Sequence, residues 1–331
     1  MNAVLTRLPI LILYPHNRCN CRCVMCDIWK IDSVQEITAE EMEGHARELE
    51  ALGTEWVVFS GGEPLMHSDL FRLAWRLHRA GMRTTLLTTG LLLARHAAAV
   101  VESLDDVIVS LDGPPEVHDR IRRVPRAYEL LAAGVRALHA LEPGFPVAAR
   151  CTVQRANFDR LCETAAAARD LGLQSISFLA ADLTSAAFNR PEPWTPERAA
   201  EVALEPHEIE RLDREIELLA QQGEGFVRED ASKLRRIARH FRAQLGLALA
   251  EAPRCNAPWV SAVLESDGTV RPCFFHRAIG NARERPLRDV LNSGEALSFR
   301  RTLNVVADAT CRRCVCSLYL EEQEPEAGMM R

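Results

Sequence analysis

The chain has 331 residues, 47% hydrophobic and 26% charged, with a formal net charge of −6, values that support a substantial buried core and exclude extended disorder. The acidic balance gives no reason to expect nucleic-acid binding, and the apolar stretch 8–14 is too short to cross a bilayer and lacks a small-residue cleavage site. A folded cytoplasmic protein is expected, and in that reducing compartment eleven cysteines point to metal or cluster ligation in place of disulfides.

In chain order, short β-rich runs at 9–14, 56–60, 83–88, 106–111, 146–153 and 174–179 alternate with helical patterns at 39–52, 69–80, 93–103, 127–141 and 157–171. Such βα repetition predicts an α/β fold with a parallel sheet. Six units are too few for a closed eight-stranded barrel, so a partial (β/α)6 TIM-like barrel is expected over 1–180, with ligands at the C-terminal ends of its strands. Residues 181–250 read as a connecting region. Its first part holds Phe188, Asn189, Arg190 and Trp194, a lid or a linker, and two charged helices follow at 206–247. There Arg235, Arg236, Arg239 and Arg242 read as a solvated face. A small cysteine-rich unit at 251–318 is built on a hairpin, 260–264 and 269–271, around Asp267-Gly268. The polar tail 319–331 has no assigned role.

Directly after the first strand, Cys19, Cys23 and Cys26 are separated by three and then two residues. Iron-sulfur cubanes normally take four thiolates, so a three-thiolate loop leaves one iron for another ligand. Cys21 in the same loop leaves a different register, such as zinc, open. The C-x3-C-x2-C loop resembles that of the radical S-adenosylmethionine (SAM) superfamily, over about 8–179. The resemblance implies a 4Fe-4S cluster whose free iron is chelated by SAM, and reductive cleavage of SAM to a 5′-deoxyadenosyl radical. Met25 stands where the family often has an aromatic residue, and its thioether can pack on adenine. Ser60-Gly61-Gly62-Glu63-Pro64 resembles the family's G-G-E-P motif. Its glycines permit close backbone approach, so carbonyls and Glu63 are expected to meet the SAM ammonium. Thr88, at the end of the third strand, is expected near the cofactor. Ser110 and Asp112 lie in a segment that by the resemblance gives polar contacts to the ribose or carboxylate of SAM; they share one strand face, expected to be the barrel interior, with turn chemistry as the alternative. Arg150, within an apolar strand, calls for a carboxylate from SAM, the substrate or the protein. His118 reads as a loop or a catalytic histidine, and Cys151 and Cys162 as buried inert thiols.

Cys255 and Cys273 flank the hairpin as C-x12-G-x4-C, and Cys311 and Cys314 form a C-x2-C pair. Spacing alone fits either zinc or iron-sulfur. The set resembles the twitch module, a short relative of the SPASM domain, which implies one auxiliary 4Fe-4S cluster, with Cys316 able to replace a neighbour. The resemblance implies a radical SAM oxidoreductase that passes the second electron to the auxiliary cluster. Its expected substrate is a small polar metabolite such as a sugar or aminocyclitol. Modification or epimerisation of a ribosomally made peptide is the second reading, and a non-catalytic iron-sulfur or zinc protein the third. The expected partners are that substrate and an electron donor such as flavodoxin or ferredoxin, with no nucleic acid and no membrane.

Overall fold

The computed structural model describes residues 2–321 except 32, 186 and 191. Its first half alternates β1 (Ile10–Leu13), α1 (Ala39–Ala51), β2 (Trp56–Phe59), α2 (Leu70–Arg79), β3 (Arg83–Thr88), α3 (Leu93–Ser103), β4 (Asp106–Ser110), α4 (Pro115–Arg122), α5 (Ala127–Leu141), β5 (Val147–Val153), α6 (Leu161–Asp170) and β6 (Ile176–Ala180). Local chemistry accounts for these elements. At α1, Thr38 and Glu41 form a capping box, with Glu41 N donating to Thr38 Oγ1 (3.1 Å) and Thr38 N to the Glu41 carboxylate (2.7 Å). Met42, Ala46 and Leu49 then bury one helix face. In β5, Val147, Ala149, Cys151 and Val153 are buried against helices while Ala148, Arg150 and Thr152 look to the other side. The six strands run parallel from β1 to β6. Helices cover one face, and the other lines an open lumen. The helix α4 is an addition to the elements expected from sequence.

The second half contains α7 (Pro196–Ala199), α8 (Ile209–Gln222), α9 (Ala231–Gln244), α10 (Ala257–Val260), β7 (Ser261–Leu264), β8 (Thr269–Arg271), β9 (Gly280–Asn281), α11 (Leu287–Leu291), α12 (Gly294–Thr302) and α13 (Ala309–Arg312). The hairpin is not a separate sheet. β7 lies parallel to β1, Ile10 opposite Ser261 and Leu13 opposite Leu264, giving one sheet of order β6-β5-β4-β3-β2-β1-β7-β8-β9. Tyr14 N continues the ladder to Leu264 O at 2.8 Å. This pairing covers the edge that β1 would otherwise expose. At the other edge, Ile176 N donates to Phe226 O (3.0 Å) and Arg228 N to Ile176 O (2.9 Å).

Two expectations change. Arg235, Arg239 and Arg242 pair with Glu217, Glu251 and Asp213, but Arg236 turns inward and donates to Cys314 O (2.9 Å) and Val315 O (3.3 Å). The start of the tail also has a place. Leu320, together with Leu318 at the end of the cysteine-rich unit, packs on Ile10, Ile12 and Val263, and Asn256 holds them through Leu318 O (2.9 Å) and Leu320 O (2.7 Å). The remainder, 322–331, lies outside the described residues. Among the described residues no helix is long and apolar enough to cross a membrane.

Candidate active site

The cysteine loop leaves the C-terminal end of β1 and is seated on the end of α4, with Arg22 N donating to Arg122 O (3.2 Å) and Val24 N to Ile121 O (3.1 Å). None of the cysteines is in a disulfide. Arg122 is buried, its Nη2 lies 2.6 Å from Asp112 Oδ2, and its Nη1 lies 3.6 Å from Cys23 Sγ. Burial disfavours the Arg122 charge, but Asp112 and then the thiols more than restore it. A hydrogen bond from the Cys21 thiol, with help from Arg122 and against burial, pulls Cys23 down to about 7. Burial pushes both Cys19 and Cys26 up to about 12. Thiols so desolvated ionise readily only beside a positive charge, which cluster irons supply. The donor set therefore fits an iron-sulfur cluster. In addition, Asn20 Nδ2 is buried without a partner among the described residues.

The glycine motif is locked to the segment preceding Cys19. A Cβ on Gly62 would fall 1.8 Å from Arg18 O, and Gly61 has φ +93°, so this approach needs glycine at both positions. Glu63 N donates to Arg18 O (2.8 Å). His16 Nδ1 accepts from Arg18 N (3.0 Å), which leaves Nε2–H to donate to Glu63 O (2.5 Å). The Glu63 side chain points the other way. Fully buried, its carboxylate accepts from Thr88 Oγ1 (2.8 Å), Thr89 N (2.6 Å), Thr89 Oγ1 (2.6 Å) and Leu65 N (3.1 Å). Burial raises its pKa while these donors oppose the rise.

In this geometry three residues expected at the cofactor make their contacts within the protein. The Glu63 carboxylate and the Thr88 hydroxyl satisfy each other, tying the end of β2 to the end of β3. Asp112 is buried against Arg122 and Thr152 N (2.9 Å), so it positions the cysteine loop and does not face the lumen. His118 is buried beside it, its Nδ1 accepting from Asp112 N (3.2 Å) and its Nε2 without a partner among the described residues. Pro64 opens the short turn Pro64–Met66. Ser110 shares the less buried face of β4 with Ile108. Met25 packs with Trp194 on Ala181, Leu183 and Val202.

Those last contacts belong to a strap, the form taken by the expected lid or linker. Trp194 Nε1 donates to Asp27 Oδ2 (2.6 Å), Asn189 Nδ2 to Asp27 O (3.1 Å) and Arg198 Nη2 to Val24 O (2.5 Å). Arg190 is buried in an ion pair with Asp182. Phe188 stacks at 6.3 Å on Phe274, joining the strap to the C-terminal hairpin.

A cavity of about 480 Å3 is lined by Ile12, Val58 and Ile108 of the barrel, by Arg150, Arg228, Glu229, Lys233 and Arg236, and by Cys255, Cys273, Cys311, Cys314 and Cys316. Arg150 faces this space, its Nε donating to Ser177 Oγ (3.3 Å). Glu229 lines the same cavity and feels the Arg150 charge, but no carboxylate among the described residues lies within ion-pair distance of Arg150; open to the lumen, the guanidinium escapes the desolvation that would demand one. Sequence reasoning passed over His16 and Arg236 as site residues; Thr89 and Arg122 it named beside the ends of β3 and β4 without giving either a specific contact. The available signal was a basic residue at a helix position that the periodicity assigns to the buried face, as for Arg122 in α4.

Residues 13–181, just over half of the 331, match the family model described as the radical SAM superfamily. The chain belongs to the radical SAM superfamily. Residues 255–315 match SPASM, an iron-sulfur cluster-binding domain. This radical SAM chain is 28% identical over 294 residues to an AdoMet-dependent heme synthase of Methanosarcina barkeri, covering 86% of this chain and 81% of that protein. It is 28% identical over 296 residues to a PqqA peptide cyclase of Ruegeria pomeroyi, covering 82% and 73%. Its fold is similar to Streptococcus suis SuiB bound to S-adenosylmethionine, with TM-score 0.67, 15% identity and coverage of 96% and 74%. Family membership brings SAM and a 4Fe-4S cluster to the barrel and auxiliary iron-sulfur binding to the C-terminal region.

Proposed function

We propose that this radical SAM enzyme oxidises a small anionic substrate, with the SAM-binding cluster on Cys19, Cys23 and Cys26 and one auxiliary 4Fe-4S cluster on Cys255, Cys273, Cys311 and Cys314. The observation that carries this reading is that barrel interior and C-terminal cysteines line one cavity, so a substrate in the lumen lies against the auxiliary centre. Bound there, the cofactors supply a carbon radical able to take one hydrogen atom and a second centre able to accept the remaining electron as the substrate releases a proton.

The chain's own residues do the rest. Gly61, Gly62 and Pro64 present backbone to SAM, while Glu63, Thr88 and Asp112 act at one remove by holding the loops. Arg122 offsets the negative charge of the cluster thiolates, and the strap excludes water. Arg150, Arg228 and Lys233 outnumber the one lining carboxylate, Glu229, and beside an apolar barrel wall they suit a carboxylate or phosphate carried on an apolar body; a cationic aminocyclitol is the weaker fit. Similarity to the PqqA peptide cyclase supports peptide modification as a second reading. Flavodoxin or ferredoxin is the proposed reductant, and the cytoplasm the proposed location.

Anaerobically reconstituted protein carrying about eight irons, four per cubane, should release 5′-deoxyadenosine from SAM and dithionite. Candidate anions and peptides labelled with deuterium should then transfer the label into that product. Fully loaded protein that leaves SAM intact would sink the enzyme reading.

A further inference from the structure

At the auxiliary centre the proposed four thiolates have a further neighbour. His276 follows Cys273 by three residues, on the turn leaving β8. Its Nε2 lies 3.3 Å from Cys311 Sγ and 3.8 Å from Asp308 Oδ1, and its side chain is only 11% exposed. Asp308 is occupied by the first turn of α13, where its Oδ1 accepts from Thr310 N (2.9 Å) and Cys311 N (2.8 Å). The imidazole is also wedged edge-on against Phe299, with ring centroids 4.8 Å apart. Two separate segments, α12 and the start of α13, thus fix the ring with one nitrogen at the sulfur.

We propose that His276 donates its Nε2–H to the Cys311 thiolate and raises the reduction potential of the auxiliary cluster, making it a better electron acceptor. The inference rests on Cys311 being a ligand, as proposed above. Nε2 faces a thiolate and a carboxylate, both acceptors only, so the nitrogen between them must carry the hydrogen. Hydrogen bonds to cluster sulfurs are one of the levers that set iron-sulfur potentials. They stabilise the reduced state because its extra electron makes the sulfurs better acceptors. Among the described residues, no other thiol in the C-terminal set has an imidazole within hydrogen-bond distance.

The test is an EPR-monitored redox titration of the full chain with both clusters loaded, SAM being added to shift the signal of the first cluster and leave the auxiliary one identifiable. His276→Phe should make the auxiliary cluster harder to reduce by about tenfold in the reduction equilibrium, equal to 59 mV for a one-electron couple. His276→Gln, which keeps an N–H, should recover most of the shift, with iron content equal in all three proteins. His276→Leu gives the same readout should the phenyl ring not fit. Unchanged potentials in both apolar variants would overturn the proposal. So would a strong nitrogen coupling in pulsed EPR of the wild type, which would make His276 an iron ligand. Wild-type protein that loads only about four irons, with Cys311→Ala losing none, would instead remove the auxiliary-cluster reading beneath it.

Discussion

Arg122 holds Asp112 with one nitrogen and reaches Cys23 with another, so a single buried guanidinium balances a carboxylate and a ligand thiolate. Arg122→Met leaves Asp112 charged and unpaired and should cost about 3–5 kcal/mol of stability. Arg122→Met/Asp112→Asn should cost less than the sum of the two single changes, because the second removes the charge that the first strands. Unfolding midpoints of the four proteins check this. His118 carries a pH dependence. An unfolded histidine protonates near 6.5, but burial and then the charge of Arg122 push the folded ring down to about 3. The native state binds fewer protons below pH 6.5, so stability is full above that value. It declines as pH falls toward 3, by up to about tenfold in the unfolding constant per pH unit. Thermal unfolding between pH 7.5 and 5.5 should show the wild-type midpoint falling more steeply than that of His118→Asn, whose amide oxygen can still accept from Asp112 N.

At the scale of elements, the loops after β1, β2 and β3 form one interlocked unit. Glu63 donates through its backbone to Arg18 and accepts through its side chain from Thr88 and Thr89. Gly62 is the residue on which the interlock turns. Gly62→Ala places a methyl group where Arg18 O sits, forcing the segment that leads into Cys19 to move. The expected result is loss of about four of eight irons with helix content retained, read by iron assay and circular dichroism. Unchanged iron would show that the loop tolerates the displacement. The strap adds a second fastening from outside, through Trp194 and Arg198, and so keeps the cysteine loop under cover without contributing a ligand.

For the molecule as a whole, the C-terminal hairpin is part of the barrel sheet. β7 completes the edge of β1, Asn292 exchanges hydrogen bonds with Leu5 (2.8 and 3.0 Å), and Leu318 and Leu320 fill the lumen floor. Both proposed cluster sites therefore rest on one structural body. A chain ending at residue 250 should expose the β1 edge and the apolar floor together and elute as aggregates in size-exclusion chromatography. A monodisperse, folded product would show that the barrel stands without its C-terminal partner.

Most of what depends on neighbours in the chain was legible in the sequence, the short helix α4 excepted. The alternation of period-2 and helical patterns predicted β3 at 83–88, where it lies. The cysteine spacings, the Gly61-Gly62 pair and the C-x12-G-x4-C hairpin led to the radical SAM and SPASM regions, because close spacing on one loop is itself the chemical signal. Side-chain direction and distant pairing were not legible. Nothing local says that Glu63 turns away from the lumen, that Arg150 turns into it, that Arg122 lies under Cys23, or that His276 reaches Cys311. Nor does any local pattern pair β1 with β7 from the far end of the chain. Only packing decided these, since burying a charge or leaving a strand edge open costs free energy that depends on which distant groups arrive to satisfy it.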